Sequence, residues 1–301
     1  GGEYRRYTAA TTSDLSSQTP DEVLGNGAAS PDSSGKYNVA EIFGELVIPI
    51  IEDKPFAKSL TLELGGRYSD YSTSGGSETY KIAGSYEPFE GLKLRGGYNR
   101  ATRSPNIGEL FAPPVVGLDN LPVDPCGGAA PLTNANLSAV CIAQGAPASQ
   151  IGLIGNPAAA QVNVLNSGNA NLDVETADTY TVGVVFEPAM IPGLTLTVDY
   201  YSIKVADAIS TPTAGDIIGA CFNNLTAASA AHPACTSIRR NTMTGSLDGA
   251  VSLGAFLPQP LSNLGKIKTK GFDFTANYRR DLGFAKLNLA FSGNYTDSSK
   301  F

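Results

Sequence analysis

Hydrophobic residues recur at every second position along much of this 301-residue chain, and this spacing constrains the fold more than any other feature. A period of two is typical of β-strands, because successive side chains of a strand point to opposite faces of the sheet. Leu60, Leu62 and Leu64 share one face, for example, whereas Thr61 and Glu63 share the other. The pattern predicts an all-β fold of about eight strands, at residues 36–51, 60–71, 77–88, 91–104, 175–188, 193–205, 265–281 and 284–297.

The connections between these strands indicate an antiparallel up-and-down meander. Two of them are very long: residues 105–174, here called loop one, and residues 206–264, here called loop two. Because consecutive strands of a meander alternate in direction, all short turns fall at one end of the sheet and both long loops at the other. Residues 72–76 form an intermediate turn, and the polar residues 1–35 are predicted to be a further loop. The short turns are residues 52–59, 89–90, 189–192 and 282–283.

The apolar face of such a sheet could meet one of two environments. In a soluble sandwich or barrel it would form the core, whereas in a transmembrane barrel it would face lipid and the polar face would line a wet lumen. The strand lengths suit a tilted membrane strand of about 9–11 residues plus overhang, and the polar face carries dispersed charges of both signs. Aromatic residues near both ends of the apolar face also favour the membrane barrel. They are Tyr68, Tyr80, Tyr98, Tyr180, Tyr200 and Tyr295 at the long-loop end and Tyr86, Phe186 and Tyr278 at the other.

The composition argues against several other functions. A net charge of −7 does not suit a nucleic-acid partner, because phosphate binding needs clustered lysine and arginine. His232 is the only histidine, which leaves no multi-histidine metal site and no Ser-His-Asp triad built elsewhere. No phosphate-cradling loop or nucleophile elbow occurs. We therefore expect neither an enzyme nor a cofactor.

Four segments carry recognisable motifs in a fixed order. They are RGGYNRATRSPNIGELF at residues 95–111, NANLDVETADTYTVG at 169–183, DYYSIKV at 199–205 and TKGFD at 269–273. Together these motifs resemble the barrel signatures of TonB-dependent outer-membrane receptors. The resemblance supports the membrane barrel over the soluble alternative.

The resemblance implies a plugged barrel of about 22 strands in the outer membrane. Such receptors bind siderophores, cobalamin, sugars or similar scarce solutes outside the cell and import them with energy supplied by TonB. This sequence departs from the family in having no segment that resembles the plug or the TonB box, and in having eight predicted strands. We therefore expect a central-to-late barrel segment. Its partners would be outer-membrane lipid, its own plug domain and remaining strands, TonB through the full-length receptor, and a small solute.

The alternative function is a passive porin or an adhesin barrel that presents its loops. A plug domain elsewhere in the full-length protein would decide for active transport. The substrate itself is not readable from these residues.

The four cysteines lie in the two long loops. Cys126 and Cys141 are in loop one, and Cys221 and Cys235 are in loop two. Of the three possible pairings, two local disulfides are the simplest, which would make each loop a separate stapled lobe. Free thiols do not suit an oxidising envelope, and a zinc site lacks both a CxxC motif and a second histidine.

Two groups of charged residues are candidate sites. Arg100, Arg103, Glu109 and Glu175 lie where the chain enters and leaves loop one, so they form either a charged rim that guides solutes or, as we favour, a structural ion-pair set. A second group is predicted to face the lumen, where it would dock the plug more readily than bind substrate. Its members are Arg67, Lys93, Arg95, Asp199, Asp273 and Lys286.

Overall fold

The computed structural model describes residues 1–20, 22–23 and 28–300. Twelve β-strands occur within these residues: β1 Gly2–Thr11, β2 Ser33–Lys54, β3 Ala57–Tyr71, β4 Gly75–Phe89, β5 Leu92–Arg103, β6 Val115–Asn120, β7 Gln161–Ser167, β8 Glu175–Phe186, β9 Leu194–Ser210, β10 Leu257–Pro260, β11 Ser262–Asp281 and β12 Lys286–Lys300. The helices are α1 Leu15–Gln18, α2 Ile107–Phe111, α3 Ala130–Thr133, α4 Ala135–Ala143, α5 Ala214–Phe222 and α6 Pro233–Thr236, with four single-turn 3₁₀ helices. No helix in this part of the chain is long and apolar enough to cross a membrane.

Nine of the strands form one antiparallel sheet in the order β1-β2-β3-β4-β5-β8-β9-β11-β12. Neighbours along this sheet are neighbours in sequence apart from the strands inserted in the long loops, so the predicted up-and-down meander is confirmed. Each predicted strand is present, and the short turns and long loops lie at opposite ends. Strand β9 continues to Ser210 and β11 begins at Ser262, so loop two is shorter than predicted.

The ninth strand was not predicted. Residues 1–35 were expected to be a loop, but β1 pairs with β2 from Gly2 opposite Ile42 to Thr11 opposite Ser33. Nearly all β1 side chains are exposed, so backbone hydrogen bonds rather than an apolar stripe hold the strand in place. The prediction is therefore wrong for residues 2–11, and residues 21 and 24–27 of the same segment lie outside the described residues.

Loops one and two contain structure of their own. Strands β6, β7 and β10 form a second sheet in the order β10-β7-β6, so a strand from loop two pairs in parallel with a strand from loop one. Most of the fully buried apolar residues of the described chain lie in these loops and not in the large sheet. Loops one and two together form a compact unit at one end of the sheet, here called the outer lobe.

The register of the large sheet keeps apolar side chains in continuous cross-strand rows. Leu64 is opposite Leu46 and Ile82, and the next strand continues the row with Tyr98. On the adjacent positions the rows are polar, as alternation requires. The sheet therefore has one apolar and one polar face along its length, and in a transmembrane barrel these faces meet lipid and lumen, respectively.

Candidate functional site

The polar face of the sheet brings the predicted lumen-facing residues together. One cross-strand row runs from Arg95 through Gly183, Asp199 and Asp273 to Asn294. The other three predicted residues, Arg67, Lys93 and Lys286, occupy positions of the same face. All six residues therefore share the polar face of the sheet.

Arg95 and Asp199 form a bidentate ion pair across an intervening strand. The distances are 2.8 Å from Nε to Oδ1 and 2.6 Å from Nη2 to Oδ2. Gly183 stands between the two residues in the row, and a Cβ at that position would overlap the Asp199 carboxylate. The glycine therefore makes the room that lets the two side chains meet over β8.

A second charge cluster surrounds Glu41 near the outer end of β2. Its carboxylate accepts hydrogen bonds from Arg5, from Arg67 at 3.1 Å and from the Ser69 hydroxyl at 2.6 Å, and the side chain is only 2% exposed. The Arg67 guanidinium also lies 4.5 Å from the centre of the Phe43 ring. The Arg67 side chain is thus held by residues of the sheet itself.

Two lysines of this face have no such partner. Lys93 and Lys286 form no ion pair or side-chain hydrogen bond with any described residue. Both lie next to short turns, Lys93 as the second residue of β5 and Lys286 as the first of β12. Asp273 accepts a hydrogen bond of 2.8 Å from Asn294. Lys93 and Lys286 are therefore two positive charges without an ion-pair partner among the described residues, at the short-turn end of the polar face.

Three of the four rim candidates form one saturated network at the base of loop one. Arg103 pairs with Glu109 at 2.9 and 3.0 Å and with Glu175 at 2.6 and 2.8 Å. Glu109 is fixed by a capping box at the start of α2, in which it accepts from the Asn106 N–H at 2.7 Å. Glu175 accepts from the Ile209 N–H at 2.7 Å, which ties in the base of loop two. The three side chains are therefore engaged with one another, and both carboxylates also with backbone N–H groups.

Arg100 does not belong to this network. Residues three apart on a strand point to opposite faces, so Arg100 lies on the apolar face while Arg103 lies on the polar one. There Arg100 pairs with Asp178 at 2.9 and 3.1 Å, and its guanidinium lies 5.7 Å from the Tyr80 ring centre. The predicted group of four is therefore corrected to Arg103, Glu109 and Glu175.

The disulfides are the local pairs that were predicted, Cys126–Cys141 and Cys221–Cys235. The expectation that they staple two independent lobes is wrong, because the loops share one apolar core. Leu121, Val140 and Val162 of loop one pack with Ile218, Ile238, Leu247 and other residues of loop two. Either loop alone would leave its own part of this core exposed to water.

A buried ion pair joins the two loops. Arg240 of loop two donates to Asp124 of loop one at 2.6 and 2.8 Å, and both side chains are 0% exposed. The Arg240 Nε also donates to Gln144 Oε1 at 2.7 Å, and Asp124 accepts from the Cys126 N–H at 2.9 Å. Sequence reasoning missed this pair, because residues so far apart in the chain share no periodic signal.

Asp119 makes a further connection between the loops. It accepts hydrogen bonds from the Ala214 N–H and the Gln259 side chain, both at 2.6 Å. Burial opposes the charged carboxylate, but hydrogen bonds from Ala214, Asn120 and Gln259 outweigh that effect and lower the pKa of Asp119. The stabilisation is therefore present above the pKa of the unfolded chain and is lost as the pH falls through the lower, folded value.

The arrangement combines the polar face of the sheet, an ion-paired network at the base of loop one and an outer lobe with its own apolar core. Within the described residues no three potential ligands among histidine, cysteine, aspartate and glutamate come together as a metal site. Helix α2, which follows the rim, lays Phe111 against Gly35 of β2 on the polar face. Loop one thus folds over the polar side of the sheet.

Comparison with known proteins identifies a family. The family model described as "TonB dependent receptor-like, beta-barrel" matches residues 1–301. A search of curated protein sequences found no match.

Several solved structures share the fold. The siderophore receptor PirA from Acinetobacter baumannii is 16% identical, with a TM-score of 0.52 over 94% of this chain and 31% of the receptor. The ferric enterobactin receptor PfeA of Pseudomonas aeruginosa, in complex with BCV-L6, is 16% identical, with a TM-score of 0.56 over 97% of this chain and 32% of the receptor. The chain therefore spans about a third of the length of these receptors.

Proposed function

Because this chain belongs to the TonB-dependent receptor β-barrel family, we propose that it forms part of a receptor that binds a ferric siderophore outside the cell and imports it with TonB-supplied energy. Members of the family are outer-membrane transport proteins and not enzymes, and this chain is one of them. The observation that supports the proposal most is the family match over all 301 residues. The choice of a ferric siderophore as the solute is supported by the siderophore receptor PirA and the ferric enterobactin receptor PfeA, which share the fold of this chain.

In this proposal each part of the chain has a distinct role. The outer lobe, at the end opposite the short turns, lies outside the cell and contributes a preorganised surface for the solute. The polar wall faces the plug domain of the full-length receptor. Lys93 and Lys286 are the best plug-docking candidates, since they form no ion pair with any residue that the structure describes and lie at the short-turn end, which faces the periplasm in this proposal.

Uptake of radiolabelled iron tests the proposal. The full-length receptor is expressed in cells that lack their other siderophore receptors, and uptake is measured under iron limitation with ferric enterobactin and a panel of other ferric siderophores. We expect saturable uptake of at least one complex that disappears when tonB is deleted or the proton-motive force is collapsed.

The same experiment separates the alternatives. A passive porin would give uptake that persists without TonB and does not saturate at micromolar solute. An adhesin barrel would give no uptake of any complex, although the receptor reaches the outer membrane. Either outcome would reject the transport proposal.

A further inference from the structure

Three lysines stand side by side on adjacent strands near the outer end of the sheet. Lys268 of β11 is directly opposite Lys204 of β9 on one side and Lys300 of β12 on the other. All three are exposed, and none forms an ion pair with another residue in the described ranges. We call them the lysine row. Like charges directly opposite one another destabilise a sheet, so this row calls for a counter-charge from outside the chain.

The neighbouring acids are already engaged. Asp178 is opposite Lys204 in the ladder, but its carboxylate is held by Arg100 and by the Tyr98 hydroxyl at 2.7 Å. Asp297 of β12 pairs instead with Lys270 at 2.6 Å. The row is therefore a local positive patch on a chain whose net charge is −7.

The lysine row lies on the apolar face and not on the lumen wall. Going outward along β9, Leu196, Val198 and Tyr200 alternate with the polar-face positions, and Lys204, four residues beyond Tyr200, occupies the same face. Register places Lys268 and Lys300 on that face as well. These side chains consequently point towards the surrounding membrane in the complete barrel.

An aromatic row fixes the depth of the lysines. Tyr200, Phe272 and Tyr295 are opposite one another on the same three strands, with the rings of Tyr200 and Phe272 5.3 Å apart. Aromatic girdles mark the membrane interface of outer-membrane barrels. On β9 and β11 the lysine row lies four residues further out, about 13 Å along the strand and about 10 Å along the membrane normal after tilt. That is the level of lipid head groups.

We propose that the lysine row is a binding site for the phosphate-bearing head group of an anionic lipid in the outer leaflet. Adjacent strands are about 4.8 Å apart, so the three ammonium groups span about 10 Å and can share one or two phosphates. Clusters of basic residues beside a membrane bind anionic head groups in this way. The inference depends on the apolar face meeting lipid, and it is independent of which solute the receptor transports.

Native mass spectrometry of the full-length receptor in detergent, titrated with diphosphoryl lipid A, tests the site. We expect Lys204→Gln/Lys268→Gln to weaken lipid A binding about 30-fold, since each lysine beside an anionic surface contributes roughly a factor of five. The matched control is Lys93→Gln/Lys286→Gln, which removes the same charge from the opposite face and should leave the affinity unchanged. Lys204→Arg/Lys268→Arg should also retain it.

Three outcomes would overturn the proposal. One is equal binding of lipid A by the wild type and the Gln variant. Another is an equal loss of affinity in the control pair, which would indicate a non-specific effect of net charge. The third is displacement of lipid A by millimolar inorganic phosphate, which would indicate a simple anion site.

The stability of the receptor in two kinds of bilayer gives a second readout, because the effect of Lys204→Gln/Lys268→Gln on stability should differ between them. In vesicles of phosphatidylcholine, whose zwitterionic head groups carry no net charge, the row gains no net counter-charge, so Lys204→Gln/Lys268→Gln should leave the urea midpoint unchanged or raise it. In vesicles that also contain lipid A the same variant should unfold at lower urea than the wild type. Heat-modifiable gel mobility verifies that both proteins are folded, and the same ranking in both bilayers would contradict the proposal.

Discussion

At the scale of single residues, the strongest constraint on the outer lobe is the buried pair of Arg240 and Asp124. Arg240→Met should leave the Asp124 carboxylate buried without a counter-charge, which destabilises a protein by about 3–5 kcal/mol. Because the pair joins both loops, hydrogen exchange should accelerate around Val140 in loop one as well as around Ile238 in loop two. Hydrogen–deuterium exchange of the full-length receptor measures this.

The neighbouring Arg239 provides the control, because it is exposed and has no ion-pair partner among the described residues. Arg239→Met should leave exchange in both loops as it is in the wild type. Acceleration confined to loop two in Arg240→Met would mean that the loops fold separately, against the shared core seen here.

Gly183 is the residue on which the Arg95–Asp199 pair depends. Gly183→Ala should destabilise the barrel by about 1–3 kcal/mol, because the new methyl group overlaps the Asp199 carboxylate and displaces it from Arg95. The measurement is the free energy of unfolding in bilayers. Gly65→Ala is the control on the same face, since its Cβ would be 3.6 Å from the nearest atom, Cγ of Glu45.

A second background makes the test of Gly183 specific. With Asp199→Ala in place, the overlap with the carboxylate is removed and the nearest remaining atom is the Val198 carbonyl oxygen at 3.2 Å, so adding Gly183→Ala should cost less than it does in the wild type. Equal penalties in both backgrounds would mean that the strand backbone, and not the ion pair, requires the glycine.

At the scale of strands, single substitutions can test which side chains face lipid and which face the lumen. Leu196 lies on the apolar face and Thr197 on the polar face of β9. Leu196→Arg should lower the unfolding free energy of the receptor in bilayers by about 2–4 kcal/mol if this position lies near the bilayer centre, whereas Thr197→Arg should have a mild effect. Equal losses of unfolding free energy at the two positions, or a larger loss at position 197, would contradict the assignment of the faces.

The strands also mark what the sequence could and could not predict. Strands β2–β5, β8, β9, β11 and β12 were predictable because one face of each is apolar and the other polar. Strand β1 was missed because its residues, such as Glu3, Arg5 and Arg6, show no apolar alternation and are positioned by backbone pairing with β2.

The candidate site likewise has one part that the sequence predicts and another that it does not. Alternation places Arg95 and Asp199 on one wall, and the same rule, applied to Arg100 and Arg103, would have separated them. The contacts within the outer lobe were beyond prediction, because Asp124 and Arg240 meet only through the fold and local disulfides gave no sign of a common core.

At the scale of the whole molecule, both long loops form one body at one end of the sheet and every short turn lies at the other. Outer-membrane barrels have short periplasmic turns and longer extracellular loops. The outer lobe should therefore be accessible from outside the cell, and the β4–β5 turn should not. This orientation also underlies the proposed roles of the lysine row and of Lys93 and Lys286.

Surface labelling of intact cells tests the orientation directly. Cysteine introduced at Ser149 in the outer lobe should react with a membrane-impermeant maleimide, whereas cysteine at Glu90 should react only after the cells are lysed. Both positions are exposed in the structure, so a difference in labelling reports the side of the membrane and not burial. The native cysteines are already paired and should not react. Labelling of intact cells only at position 90 would mean that the barrel has the opposite orientation. The lysine row would then lie at the periplasmic leaflet.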